Sequence, residues 1–383
     1  MPSRAQQLCA AHGYPPELAR LLERVVEHTR ESLVDVRGIV LSPSVSTGDF
    51  LWKGQGEDLV FLSDIDGSVI ADTPAATRTA FYQGLVDMAR GLGGPHFKID
   101  LSILPSRLLG HLPGNFQTVE TGLAGFELDG EGLLERFPTG FDPRASRQAF
   151  LLNLWKPLAT AEPGGCVQGM ARLLMDIPLL ATSELGICRP GHRARGEWFL
   201  TQRPEPLGAS PVLRRAVEAA MAARVDPPGD ERLLRELLVA AVQETIAGLD
   251  GHGAPRDDPD RALVRRFTRW LAPRTPRRIA GELRTLVRRP GPPIADLAWW
   301  MGRKEAMGGA GLWGLLQVAF GGRPPGPGTG RCLARYARRP APDPGDPGYV
   351  TRAGELYQAG LLELYPSLEP ASPPGGEDAL RDL

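Results

Sequence analysis

Apolar and polar positions follow different periods in the early and later parts of the chain. Between residues 16 and 35, apolar side chains recur every three or four positions, which predicts an amphipathic helix. Short apolar runs at 36–41, 58–62 and 97–104 are flanked by Gly, Ser or Pro, as is typical of strands. A run at 74–92 has helical spacing. The pattern therefore predicts a small mixed sheet in which strand, helix and strand follow one another.

Further strands are expected between Phe116 and Leu128, and the first domain is expected to end near residue 140. Beyond that point the periodicity is helical. Four segments show it clearly: 145–161, 165–185, 211–225 and 231–249. Residues 1–140 are therefore predicted to form an α/β (α+β) domain with flanking helices, and residues 141–322 a helical domain.

The last part of the chain is rich in proline and glycine. Stretches at 324–328 and 340–347 predict flexible connectors, with one short helix at 349–364 between the second of them and a disordered end from Glu369. The sequence thus predicts that residues 323–383 add connectors and one helix rather than a further domain.

The strongest chemical signal lies in the predicted sheet, at Ser63-Asp64-Ile65-Asp66. Side chains two apart on a strand point to the same face, so Asp64 and Asp66 are expected to project together while Ile65 enters the core. An isolated Asp-x-Asp pair most often marks an exposed strand edge or a turn. Here Asp100, on the strand predicted beside this one, supplies a third carboxylate. Such a set favours Mg²⁺ or Mn²⁺, and two such ions can clamp a phosphoryl transfer.

A turn rich in hydroxyl groups follows the first predicted strand. It contains Ser44, Thr47 and Gly48 and ends at Asp49. Backbone N–H groups and hydroxyls of such loops hold phosphate oxygens. Taken alone, Ser44 and Gly48 are more typical of an ordinary β-turn.

Together, Ser44-x-x-x-Gly48-Asp49, Ser63-Asp64-x-Asp66 and Asp100 resemble the DNA polymerase β-like nucleotidyltransferase superfamily over roughly residues 20–105. The resemblance implies transfer of a nucleoside monophosphate from an NTP, with ATP expected, to a hydroxyl acceptor, and release of pyrophosphate. It implies that Asp64, Asp66 and Asp100 bind the metal ions and are catalytic. Pro43 stands where the family has glycine, and the spacer before Asp64 is longer than usual.

The same resemblance implies which residues contact the nucleotide. Ser44, Thr47, Gly48 and Ser63 would lie at its phosphates. A cation from the helical domain is also expected there, and Lys156 is the candidate. The alternative for Lys156 is a surface lysine whose stem packs on apolar neighbours. His192 lies in a stretch, Gly191 to Arg195, that is predicted to be a solvated loop, with a role as a base or phosphate contact as the alternative.

Charge bears on the acceptor. Arg261, Arg265 and Arg269 recur at i+4 in the most basic part of the chain, where they would either bind RNA phosphates or form a solvated helix face. The formal net charge of the whole chain is −1, which gives no general argument for nucleic-acid binding. A small-molecule acceptor is therefore expected rather than RNA.

Other functions remain open at the level of sequence. A second-messenger synthase and a tRNA-modifying, toxin-type nucleotidyltransferase fit the same motifs, and from another class so does a silent nucleotide-binding or interaction module. The four cysteines form no CxxC or Cys/His cluster and predict reduced thiols. The sequence shows no signal peptide and no apolar run of 18 residues, which predicts a cytoplasmic protein without membrane contact.

Overall fold

The structure, a computed structural model, describes residues 2–90, 97–158, 165–225, 231–251, 255, 258–271, 294–337 and 339–364. Its fold is mixed α/β, with a small mixed sheet and many helices. Two compact units can be separated. The first comprises Met1–Phe141 and Thr182–Trp198, and the second comprises Asp142–Ala181 and Phe199–Pro366. Residues 182–198, which the predicted boundaries assign to the helical domain, thus belong with the sheet.

The first unit contains the sheet and the helices that cover it. In chain order its elements are α1 (Arg4–His12), α2 (Pro16–Ser32), β1 (Val36–Leu41), α3 (Pro43–Ser46), β2 (Trp52–Lys53), β3 (Val60–Phe61), β4 (Ile65–Ala71), α4 (Ala75–Ala89), β5 (Ile99–Leu104), α5 (Phe116–Ala124) and β6 (Phe126–Asp129). Short 3₁₀ turns lie at Gly56–Asp58, Ser106–His111 and Leu134–Arg136.

Four strands form the main sheet, in the order β5-β4-β1-β6. β4 and β5 run parallel, and β1 is antiparallel to both β4 and β6. A parallel pair needs a crossover connection, and α4 provides it. α2 and α4 bury one face of the sheet. Their buried side chains share a core with the strands: Leu18, Leu22, Val25, Ile39, Phe81, Leu85, Val69 and Leu101.

The apolar run at 58–62 does not lead directly into β4. Its centre forms β3, which pairs with β2 in a separate two-stranded ribbon, and the main sheet resumes only at Ile65. The predicted strands between Phe116 and Leu128 are wrong in their first part, which forms α5. Asn115 caps this helix by accepting the N–H of Thr118 at 3.0 Å, and Phe116 and Val119 are buried on its inner face.

The second unit is helical. Its elements are α6 (Pro143–Asn153), α7 (Gly165–Glu184), α8 (His192–Gln202), α9 (Pro211–Val225), α10 (Glu231–Asp250), α11 (Arg261–Trp270), α12 (Ile294–Phe320), α13 (Pro327–Ala337) and α14 (Tyr349–Leu364). The end of α7, from Thr182, and the start of α8, as far as Trp198, belong to the first unit. None of the helices in the described residues is long and apolar enough to cross a membrane.

α13 begins within the first of the predicted connectors. It forms because Asp258, about 70 residues earlier, caps it: the carboxylate accepts the N–H groups of Gly328 and Thr329 at 3.1 Å each. Leu333 and Tyr336 are then buried within the unit. The predicted tail from Glu369 lies outside the described residues.

Candidate active site

Asp66 and Asp100 lie side by side on the sheet. β5 is next to β4, as predicted, and the parallel register pairs Asp66 directly with Asp100. Residues paired in this way present their side chains on the same face. Both side chains are exposed, although β4 has a strand on each side. Two of the three predicted carboxylates are thus brought together on an accessible part of the sheet.

Asp64 differs from both of them. It precedes β4, is only 6 % exposed, and its Oδ1 accepts the backbone N–H of Lys98 at 3.2 Å. Ile65 donates its own N–H to the carbonyl of Lys98 at 2.9 Å. Asp64 therefore helps to fix the start of β4 against β5, whereas the sequence predicts that it projects with Asp66. Ser63, also buried, accepts the N–H of Leu51 at 3.0 Å.

A layer of hydroxyls follows the carboxylates on the same face. Ser68 pairs in register with Ser102, and their Oγ atoms are 3.1 Å apart. Sequence reasoning missed this pair. The signal was present, since both strands begin with Ile-Asp-x-Ser, at residues 65–68 and 99–102.

Farther along, the same face of the sheet is covered. Val40 and Ile70 are fully buried beneath Leu109 and Phe137, and Leu104 packs against this cluster. The open part of the face is therefore limited to the carboxylate layer and the hydroxyl layer.

The predicted phosphate turn is more ordered than a loop. Residues 43–46 form α3, in which Pro43 takes the first position, where a missing N–H costs nothing. The N–H and Oγ of Ser42 both donate to the carbonyl of Asp66 at 2.9 Å. This contact places the turn directly beside the carboxylate layer. Gly48 closes the turn with a φ of 83°, a conformation that favours glycine.

The hydroxyls of this turn have different partners. Thr47 donates to the carbonyl of Pro43 at 2.7 Å, and Ser46 donates to the carbonyl of Ala124. The Oγ of Ser44 is buried and makes no hydrogen bond to any of the described residues. A buried hydroxyl without a partner costs free energy. Among Ser44, Ser46 and Thr47, only Ser44 has a proton that is not used within the described residues.

Groups that follow α1 and that begin α8 hold the turn in place. Tyr14, after α1, donates its hydroxyl to the carbonyl of Val45 at 2.8 Å, and burial raises the pKa of Tyr14 to about 12. The carboxylate of Asp49 accepts the N–H of His192. The backbone of Gly191 passes so near Asp49 that a Cβ there would lie 2.6 Å from Oδ2.

Residues 191–195 are predicted to be a solvated loop, but α8 begins at His192. Arg195 is 1 % exposed, forms an ion pair with Glu120 of α5, and donates to the carbonyl of Arg189 at 3.1 Å. Its partner is 75 residues away in the sequence, which is why local sequence patterns do not reveal this contact. The backbone N–H of His192 is the group that reaches the turn, at Asp49.

Lys156 lies in the second unit. Its Nζ is 2.9 Å from Oδ2 of Asp176, which also accepts Nδ2 of Asn153 at 2.9 Å. The structure thus supplies Lys156 with an intramolecular partner, and its contact with a nucleotide stays a prediction.

The arginines of α11 divide into two groups. Arg261, Arg265 and Arg269 are exposed, whereas Arg266 is buried and forms an ion pair with Asp250. The other arginines of this basic region, from Arg274 to Arg289, lie outside the described residues.

The donor set suits a hard divalent cation, with two carboxylates in register and a third close by in the sequence. Within the described part of the chain, however, no three His, Cys, Asp or Glu side chains are arranged as a ready metal-binding group. Asp64 accounts for part of this, because one of its oxygens is engaged by the amide of Lys98. A metal ion would meet Asp66 and Asp100 first.

Comparison with known proteins assigns no family to this arrangement. No protein-family model matches the chain, and no curated protein matches it significantly.

Proposed function

We propose that this chain is a metal-dependent nucleotidyltransferase that moves a nucleoside monophosphate from an NTP, with ATP expected, to a hydroxyl acceptor. The observation that carries the proposal is the in-register pair Asp66 and Asp100 on an open face of the sheet. Like charges directly opposite each other destabilise a sheet. A divalent cation bound between them offsets that repulsion and gives the pair a function.

In this proposal Asp66 and Asp100 hold Mg²⁺ or Mn²⁺, which neutralises charge on the phosphates during transfer. Asp64, which the resemblance implies as a third ligand, has a further role in this chain. By accepting the N–H of Lys98 it fixes the register of β4 against β5, and that register sets the spacing of the other two carboxylates.

The acceptor oxygen attacks the α-phosphorus, the bond from that phosphorus to the leaving pyrophosphate breaks, and the hydroxyl proton passes to solvent. The resemblance implies that Asp100 would bind the catalytic metal ion and so help to lower the pKa of the attacking hydroxyl. Ser44 supports the phosphate side of the proposal because its buried hydroxyl makes no hydrogen bond within the described residues. A phosphate oxygen would accept a hydrogen bond from this hydroxyl. Ser42, hydrogen-bonded to Asp66, ties this turn to the metal ligands.

We expect the acceptor to be a small molecule. The exposed arginines of α11 number three in the described residues, and the chain as a whole carries a formal net charge of −1. An RNA acceptor would make activity strongly salt-dependent, because phosphate contacts release counterions. Activity that varies little with ionic strength is therefore the expected result.

The test is pyrophosphate release from each of the four NTPs with Mg²⁺ or Mn²⁺, followed by mass analysis of the labelled product. Asp66→Asn combined with Asp100→Asn should abolish release. Asp87→Asn is the matched control, because Asp87 is an exposed carboxylate of α4 that pairs with Arg90. Nucleotide binding without pyrophosphate release would favour the silent binding module instead. Absence of both would overturn the proposal.

A further inference from the structure

The Ile-Asp-x-Ser repeat in β4 and β5 sets two polar layers on one open face. Asp66 pairs with Asp100, and two residues farther on Ser68 pairs with Ser102. A strand advances about 3.3 Å per residue, so the hydroxyl layer lies roughly 7 Å from the carboxylate layer. Beyond it the face is buried under Leu109.

A cross-strand hydrogen bond between the two serines contributes to the sheet, but it does not explain why this face is open. β4 has a neighbour on each side, and its opposite face is buried by α2 and α4. On the open face Ile70 is fully buried, whereas Ser68 is half-buried and Ser102 is exposed. The cover thus ends where the side chains become polar, so the hydroxyl layer is accessible from solvent.

The hydrogen-bonding capacity of the serine pair indicates the chemistry that it would bind. Each hydroxyl has one proton and two acceptor positions. The proton of Ser102 has two acceptors within reach, Oγ of Ser68 at 3.1 Å and the carbonyl of Gly67 at 3.3 Å. When the hydroxyl protons form these hydrogen bonds, the two oxygen atoms retain more acceptor positions than free protons. A neutral ligand group that donates a hydrogen bond, such as a sugar or polyol hydroxyl, satisfies these acceptor positions.

We propose that Ser68 and Ser102 form a subsite for a hydroxyl-bearing part of the substrates, next to the atoms held at the carboxylates. The inference rests on the proposed nucleotidyl transfer. Two substrates have suitable hydroxyl groups: the NTP, on its ribose, and a polyol acceptor. The layer would select substrates by hydroxyls that take no part in the reaction.

Ser102 offers a matched pair of variants, because β5 is an edge strand that tolerates β-branched residues. Ser102→Thr keeps the hydroxyl and Ser102→Val removes it at nearly the same shape. Ser68→Ala combined with Ser102→Ala removes the whole layer. Thr79→Ala is the control, because it deletes an exposed hydroxyl of α4 away from this face. Thermal unfolding checks that each variant folds.

The first arm measures equilibrium binding of ATP, 2′-deoxy-ATP and 3′-deoxy-ATP with Mg²⁺. If the subsite holds ribose, the wild-type protein and Ser102→Thr bind ATP roughly five- to tenfold more tightly than one deoxy analogue, as expected for one hydrogen bond. Ser102→Val and the double alanine variant bind both alike.

The second arm supplies glycerol or inositol as the probe acceptor and measures the ratio of transfer to the polyol over hydrolysis by water. If the subsite holds the acceptor, the ratio falls at least fivefold in Ser102→Val and the double alanine variant but not in Ser102→Thr. Unchanged ratios in both arms would overturn the subsite.

If the wild-type protein released no pyrophosphate, the proposed function would be refuted independently of the subsite. The binding arm would then decide the subsite alone, and equal discrimination by Thr and Val variants would refute it.

Discussion

The two units of the molecule place their charged side chains differently. In the helical unit, two buried charges have partners of opposite sign. Asp176 accepts hydrogen bonds from Lys156 and Asn153, and buried Arg266 pairs with Asp250. In the sheet unit, the ladder between β4 and the edge strand β5 sets two like charges side by side on an exposed face.

The difference separates charged side chains that stabilise the fold from charged side chains that the fold holds on its surface. Removing one member of a buried ion pair leaves its partner uncompensated, so the fold depends on both. Asp66 and Asp100 are exposed and like-charged, so their mutual repulsion adds nothing to the stability of the fold. The sheet unit also contains one pair of the first kind, Arg195 with Glu120, which shows that the two arrangements follow local burial rather than the type of unit.

The largest effect should come from the like-charged pair. Asp66→Asn or Asp100→Asn should lower kcat for pyrophosphate release on the order of 1000-fold, or about 4 kcal/mol of transition-state stabilisation. The melting temperature should stay the same or rise, because repulsion is relieved. Steady-state kinetics and thermal unfolding of the same samples measure both. Activity near the wild-type level would remove the metal assignment.

Asp64 provides the control for this prediction. Asp64→Ala leaves the N–H of Lys98 without its acceptor, at a cost of about 1 kcal/mol in stability. Asp64→Asn retains an oxygen for that N–H and should fold normally. Loss of activity in the stable Asn variant would show that the carboxylate is needed for more than the register of the strands.

The next effect concerns the buried pair in the helical unit. Asp176→Ala should reduce the free energy of unfolding by about 2–3 kcal/mol, because Lys156 and Asn153 lose their acceptor. Lys156→Met combined with Asp176→Leu should recover most of that loss. Urea denaturation measures the stability. A tenfold rise in the KM for the NTP in the stable double variant would instead support the nucleotide contact predicted for Lys156.

Local patterns predicted those elements whose signals lie within the element itself. β1 spans Val36–Leu41 and α9 spans Pro211–Val225, as the apolar spacing indicates. The pairing of Asp66 with Asp100 follows the same logic, because a strand, a crossover helix and a strand bring parallel neighbours together. The specific nucleotidyltransferase fold stays a prediction.

Other elements depend on contacts that no local window contains. α8 packs through Arg195 onto Glu120, and α13 is capped by Asp258, each across about 70 residues. Glycine and proline near α13 therefore predict a connector from local sequence. The contact with Asp258 instead stabilises a helix there. The burial of Ser44 likewise depends on how α3 packs, whereas the hydroxyl layer could have been predicted from the repeated Ile-Asp-x-Ser.

The next prediction concerns the buried hydroxyl of Ser44 in the sheet unit. Ser44→Ala should leave stability unchanged or raise it by about 1 kcal/mol, because a hydroxyl without a hydrogen-bond partner in the described residues is removed. The same change should weaken use of the NTP tenfold to a hundredfold, the loss of about 1.5–3 kcal/mol from one charge-assisted hydrogen bond. Unchanged kinetic constants would move the phosphate site elsewhere.

The smallest effect concerns two buried tyrosines, one in each unit. Burial raises the pKa of Tyr14 and of Tyr349 to about 12 from an ordinary value of 10. The native state thus favours the neutral phenol, and this stabilisation is complete below pH 10 and is lost as the pH rises from 10 to 12. Tyr14→Phe and Tyr349→Phe should each reduce the alkaline loss of stability.

At neutral pH the two variants should differ. Tyr14→Phe removes the hydrogen bond to the carbonyl of Val45, so it should cost about 1 kcal/mol and raise the KM for the NTP severalfold by loosening α3. Tyr349→Phe should leave that KM unchanged, because Tyr349 lies in the helical unit. Unfolding at pH 8 and pH 11, with NTP kinetics at pH 8, measures both. Equal effects of the two variants on KM would remove the role of Tyr14 in holding the phosphate turn.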